Sequence, residues 1–162
     1  MLTLGAGSRA LGMAEASAGL ADDAFGLFGN AAGLGFLRDS EVSAAYHPLG
    51  EDIANRSVVY AHPLSSRPGA WAVDGSYLDV TDIRGYSPGG EKTGDVKASD
   101  LVFGAAYGRP VANHLAAGLR FKGLRETLDG RTAATFAADA GLLYRPPRGA
   151  GAGLSVQNVG PG

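Results

Sequence analysis

The chain has 162 residues, with 14 Lys and Arg against 16 Asp and Glu, and no basic run, which excludes an electrostatically driven nucleic-acid partner. Cysteine is absent, so neither a disulfide framework nor a thiolate metal site can form. No stretch approaches the ~18 uninterrupted apolar residues of a membrane helix, so any crossing of a bilayer falls to a closed sheet, the other structure that satisfies its backbone in lipid.

The first forty residues differ from the rest. Met1-Leu2-Thr3-Leu4 runs straight into Gly5 without a charged and then apolar leader, so any export signal is expected to have been removed or lost. Gly5-Ala6-Gly7-Ser8-Arg9-Ala10 fits a dinucleotide-binding spacing, but only four residues precede it and no second buried parallel strand follows. The glycines are read as permitting close packing, and no cofactor is expected. Ser8 to Ala24, rich in Ala and Leu, predicts a loose helix of small residues, and Gly26 to Gly35 a punctuated loop. The adjacent Asp22-Asp23 pair has no further ligand at calcium-loop spacing, so capping or solvated roles are expected and no metal site.

From residue 41 onward, seven strands are expected at 41–47, 55–63, 70–80, 98–109, 114–127, 132–145 and 150–158. The period of two is clearest late in the chain. Leu115, Ala117, Leu119 and Phe121 fall on one side, with Arg120 and Lys122 on the other. After Asp129-Gly130, the residues Phe136, Ala138, Ala140, Leu142 and Tyr144 repeat the apolar side, with Thr135 and Asp139 opposite. An apolar face about ten residues long, backed by full charges, suits a tilted strand between lipid and a wet interior. Asp74, Arg120, Lys122 and Asp139 are therefore expected to line a lumen. Asp-Gly is a strong signal for a two-residue hairpin, and it pairs Leu128 with Arg131. The same register sets Arg120 opposite Asp139, Lys122 opposite Ala137 and Phe121 opposite Ala138.

The connections at Ser65–Gly69, Pro110–Asn113 and Pro146–Gly149 are short. The other end carries 48–54 and a long polar loop, 81–97, besides the tight Asp129-Gly130 turn. Short turns on one side and longer loops on the other mark a bacterial barrel, and two of the three longer-side connections conform. Trp71, Tyr107 and Tyr144 sit near the short turns on the apolar face, as an interfacial girdle requires. His47, His62 and His114 fall at strand ends, in neither zinc-protease nor serine-hydrolase spacing, so no catalytic role is expected.

Three early pieces, Gly7-Ser8-Arg9-Ala10-Leu11-Gly12-Met13, Ala21-Asp22-Asp23-Ala24 and Gly29-Asn30-Ala31-Ala32-Gly33-Leu34, resemble the start of PorV/PorQ-type outer-membrane proteins, relatives of the FadL long-chain fatty-acid transporters. Tyr60-Ala61-His62-Pro63-Leu64, Tyr77-Leu78-Asp79-Val80 and Leu154 to Pro161 resemble later pieces of the same family. The resemblance implies an all-β antiparallel meander forming part of a transmembrane barrel, with a small N-terminal helical or loop plug over residues 1–40 and barrel over 41–162. It places Asp22, Asp23, Asn30 and Gly33 in the plug. One departure stands out: Ala31 occupies the place of the proline in the family's Asn-Pro-Ala-Gly.

The function so implied is non-enzymatic, in the bacterial outer membrane. It is either transport of a hydrophobic small molecule or a barrel component of a protein secretion system, with outer-membrane lipid, such a ligand or secretion proteins as partners. The alternative is a soluble secreted β-sandwich that binds a ligand, in which Arg120, Lys122 and Asp139 would be buried at a cost. Because seven is odd and the resembling relatives are about twice as long, the chain is expected to be the N-terminal half of a barrel.

Overall fold

A computed structural model describes residues 7–86 and 88–161. Seven strands form one sheet: β1 (Glu41–Pro48), β2 (Ile53–Pro63), β3 (Ala70–Tyr86), β4 (Lys92–Ala112), β5 (Leu115–Leu128), β6 (Arg131–Tyr144) and β7 (Ala152–Val159). Their order in space is their order in the chain, every neighbouring pair is antiparallel, and β1 and β7 are the edges of an open sheet. A meander of this kind follows from short connections, which join only adjacent antiparallel strands.

The Asp129-Gly130 turn does what its residues dictate. Both adopt positive φ, 49° and 77°, the backbone of a two-residue primed turn. Leu128 pairs with Arg131, and the register runs on unbroken through Lys122 with Ala137, Phe121 with Ala138, Arg120 with Asp139 and Leu119 with Ala140.

Two expectations are corrected. The polar stretch 81–97 is not a loop. β3 and β4 continue into it, pairing Ile83 with Val96 and Gly85 with Gly94 after an irregularity past Val80. The backbone ladder resumes past the irregularity, as a β-bulge allows. Ser8 to Ala24 is not one helix either. An α-helix covers only Ser8–Gly12, and the chain then turns through Ala14 and Glu15 at φ 51° and 64°, left-handed backbone that no helix continues through. Two 3₁₀ segments follow, Ala24–Phe28 and Ala31–Phe36, where a loop was expected. Gly5 and Ala6, which open the dinucleotide-like pattern, lie outside the described residues.

The N-terminal segment lies against one face of the sheet, and the core forms between them. Ala24, Leu27, Ala31 and Leu34 pack on Val59, Ala61, Ala70, Ala72 and Ala106. Alongside, Ala21 and Ala32 pack on Ala116 and Leu143. Alanine dominates because the segment's backbone comes close to the sheet, leaving room for little more than a methyl.

The other face carries the large apolar side chains, and they are exposed. Phe103, Phe121 and Phe136 are each 64 to 69% accessible, and Val58, Val73, Leu119 and Val156 are about half accessible. Trp71 and Tyr107 are paired in register on this face near the short connections, with Tyr60 edge-on to Trp71. Among the described residues, outward charges lie toward the ends of the strands: Arg109 on β4 at one end, and Arg56, Asp79 and Arg125 at the other.

Candidate functional site

The four residues expected to line a lumen are brought together on the face beneath the N-terminal segment. Arg120 projects from β5 and reaches across β4 to Asp74 on β3, donating from Nε to Oδ1 at 3.0 Å and from Nη2 to Oδ2 at 2.5 Å. Its Nη1 lies 3.5 Å from Asp139 Oδ2 on β6, which also accepts from Lys122 Nζ at 2.8 Å. The second Asp139 oxygen accepts from the backbone N–H of Asn158 at 2.7 Å, tying in β7. Two cations and two anions thus link four of the seven strands with no net charge.

The bridge over β4 depends on Gly104. This residue is the register partner of both Asp74 and Lys122, and any Cβ there would collide with the Asp74 carboxylate and the Arg120 guanidinium. Strands lie ~4.8 Å apart, so Asp74 and Arg120 stand about two spacings from each other, and the empty position is what allows the contact.

One expectation about these charges is corrected. They do not face a wet interior: Asp74, Arg120, Lys122 and Asp139 are each 3 to 5% accessible. The Phe28 ring of the N-terminal segment covers Arg120, with the guanidinium carbon 4.6 Å from the ring centroid. A buried charge is tolerated only when it is paired and hydrogen-bonded, and the bidentate Arg120–Asp74 geometry meets that condition. Burial of these charges therefore no longer counts against a soluble sandwich. The distinction falls to the outward face.

The segment's own candidate residues are structural hinges of its path. Asp23 caps the first 3₁₀ segment by accepting from Gly26 N–H at 2.8 Å, while Asp22 pairs with Arg9 at 2.6 Å. Both acids and Arg9 border a cavity of about 140 Å³ against Ala44 and Ala45 of β1. Gly33 is pressed so closely on the backbone of Ala21 that no Cβ fits. Asn30, 1% accessible, caps the second 3₁₀ segment through Ala32 N–H and donates to the carbonyls of Ala18 and Leu142, each at 2.9 Å. Arg145, at the end of β6, closes the path by donating to Leu20 and Ala21 carbonyls and stacking on Phe36.

Sequence reasoning missed the floor on which the segment rests. Gly108, Gly118 and Gly141 are register partners across β4, β5 and β6. A Cβ on Gly108 or Gly118 would strike the backbone around Ala31, and one on Gly141 would strike the Asn30 side chain. The signal is present in the sequence, since the hairpin register sets Gly118 opposite Gly141. Comparison with protein-family models, with curated proteins and with solved structures gave no match.

Proposed function

We propose that this chain is a wall of an outer-membrane β-barrel of the PorV/PorQ and FadL-like kind, with the N-terminal segment as a stopper inside it. One observation carries the reading: the sheet buries Asp74, Arg120, Lys122 and Asp139 and exposes Phe103, Phe121, Phe136, Leu119 and Val156, the inverse of a sheet in water. An exposed apolar surface of this extent calls for lipid or another apolar cover. The aromatics near the short connections suit the interfacial belt of a membrane protein.

The edges add a requirement. Unpaired strand backbone is not tolerated in lipid, so β1 and β7 must pair with further strands, from a longer chain or from other copies. A segment held across the inner face by hydrogen bonds from Asn30 and Arg145 and by a glycine floor suits controlled passage of a hydrophobic small molecule. A barrel component of a secretion system is the other form that the resemblance implies.

Trp71 is the single tryptophan and lies on the outward face, so it reports directly on lipid contact. The chain, diluted from urea into vesicles containing brominated acyl chains, is expected to show quenched tryptophan emission. Uptake of a fluorescent fatty acid into those vesicles, faster when residues 8–36 are deleted, would support the transport form. A chain that stays monomeric in water without detergent, its tryptophan unquenched, would overturn the barrel and leave the soluble sandwich.

A further inference from the structure

We propose that the outward face of β4 to β7, next to the short connections, binds one anionic phospholipid, with an acyl chain in an apolar groove and the phosphate on Arg109. The proposal rests on the membrane reading above and names a specific lipid partner within it.

The groove has a volume of about 670 Å³ and is lined almost wholly by apolar atoms. Its form comes from residue size. Ala117 on β5 and Ala140 on β6 are small, and they leave a low between the taller Leu119, Leu142, Leu154 and Val156. The four tall side chains are 44 to 65% accessible, so the groove is open along the sheet surface. An acyl chain laid there gains apolar contact on three sides instead of one.

The head-group end is fixed by charge. Arg109 lines the groove as the register partner of Ala117, and among the described residues it makes no ion pair. Toward the opposite end, Arg56 is engaged by Asp79 and stacked on Tyr46, and the outward Arg125 does not line the groove.

The connections repeat the difference. Those on the Arg109 side, 64–69, 113–114 and 145–151, contain Arg67, His114, Arg145 and Arg148 and no acid. Those on the far side, 49–52, 87–91 and 129–130, contain Glu51, Asp52, Glu91 and Asp129 and neither lysine nor arginine. A negative head group is therefore favoured at the end of the sheet where Arg109 lines the groove and the connections hold no acid. A second copy of the chain is a poorer occupant. Face-to-face docking would carry two unpaired Arg109 side chains into an interface whose outward acid, Asp79, is already engaged by Arg56.

The full chain, in neutral detergent with equal amounts of phosphatidylglycerol and phosphatidylcholine of identical acyl chains, tests this by native mass spectrometry. A single phosphatidylglycerol adduct is expected, favoured about fivefold, the equivalent of the ~1 kcal/mol that one basic side chain gains beside anionic lipid. Arg109→Gln should bring the two lipids to parity, while Arg67→Gln, outside the groove, should keep the preference. Ala140→Phe, which fills the groove, should reduce retention of both lipids. Excess inorganic phosphate should leave the adduct in place.

Parity in the unmodified chain, a preference that survives Arg109→Gln, or displacement by free phosphate would each overturn the site. Tryptophan quenching, measured in parallel, separates the two readings. Quenching without lipid preference removes this site alone, whereas no quenching removes the barrel and the lipid site with it.

Discussion

The two faces of this sheet divide the usual roles of inside and outside. The covered face holds Asp74, Arg120, Lys122 and Asp139 among alanines and glycines, all beneath the N-terminal segment. The exposed face holds phenylalanine, leucine, valine and tyrosine. Along β5 the two sets interleave residue by residue, so neither composition nor mean hydropathy reveals the arrangement. Hydrophobicity here marks the side facing away from the chain's own core, as expected where the surroundings are less polar than the interior.

The covered face is most sharply tested by removing one charge from the network. Arg120→Ala strands Asp74, whose carboxylate is buried and bonded to Arg120 through both oxygens, and breaking a buried pair this way costs about 3–5 kcal/mol. The expected result is a correspondingly lower unfolding midpoint in denaturant titration in lipid vesicles. An effect below ~1 kcal/mol, the scale of an exposed pair, would mean that the four groups are hydrated after all.

The contrast between the faces is tested by placing the same charge on each. Ala138→Arg on the outward face should cost about 2–4 kcal/mol if that face meets acyl chains near the bilayer midplane. Thr135→Arg, three residues away on the inner face and only partly buried, should cost much less in the same titration. Equal penalties would contradict the assignment of two different surroundings.

The covered face also makes a steric claim. Gly118→Val would drive a branched side chain into the backbone of the second 3₁₀ segment, and overpacking of this kind costs about 1–3 kcal/mol. Lifting the segment is easier than bending the sheet, so limited proteolysis should cut within residues 8–36 faster in the variant. Gly123→Val, at an open position farther along the same strand, is the control and should leave cleavage unchanged.

Strands and the β5–β6 register were legible in the sequence because a period of two and an Asp-Gly turn are local signals. The extended β3–β4 hairpin was not. Glycines and acids between Thr81 and Lys97 suggested a loop, whereas pairing with the opposite strand decides the matter. The candidate charges were picked out correctly as sharing one face, but alternation says only which side a residue takes, never what covers it. Burial under Phe28 depends on a segment nearly a hundred residues earlier in the chain. The Asp74–Arg120 contact was hidden for a related reason, since it joins strands that are not neighbours and relies on the missing side chain of Gly104.

Ala31 offers the finest test, because it stands where the resembling family has proline. It opens the second 3₁₀ segment directly after its cap, Asn30, at a position where a backbone N–H is not needed and proline is well suited. Asn30 itself is extended, with φ −161° and ψ 104°, within reach of the conformation that a following proline imposes. Ala31→Pro is therefore expected to raise stability by about 0.4–1 kcal/mol, by restricting the unfolded chain. Asn30→Ala should act in the opposite sense, losing the cap and the bonds to Ala18 and Leu142. Midpoints for both variants in one denaturant series settle the comparison. If Ala31→Pro destabilises instead, the buried pocket around this residue is shaped for a methyl group, and the segment departs from the Asn-Pro-Ala-Gly turn in geometry as well as in sequence.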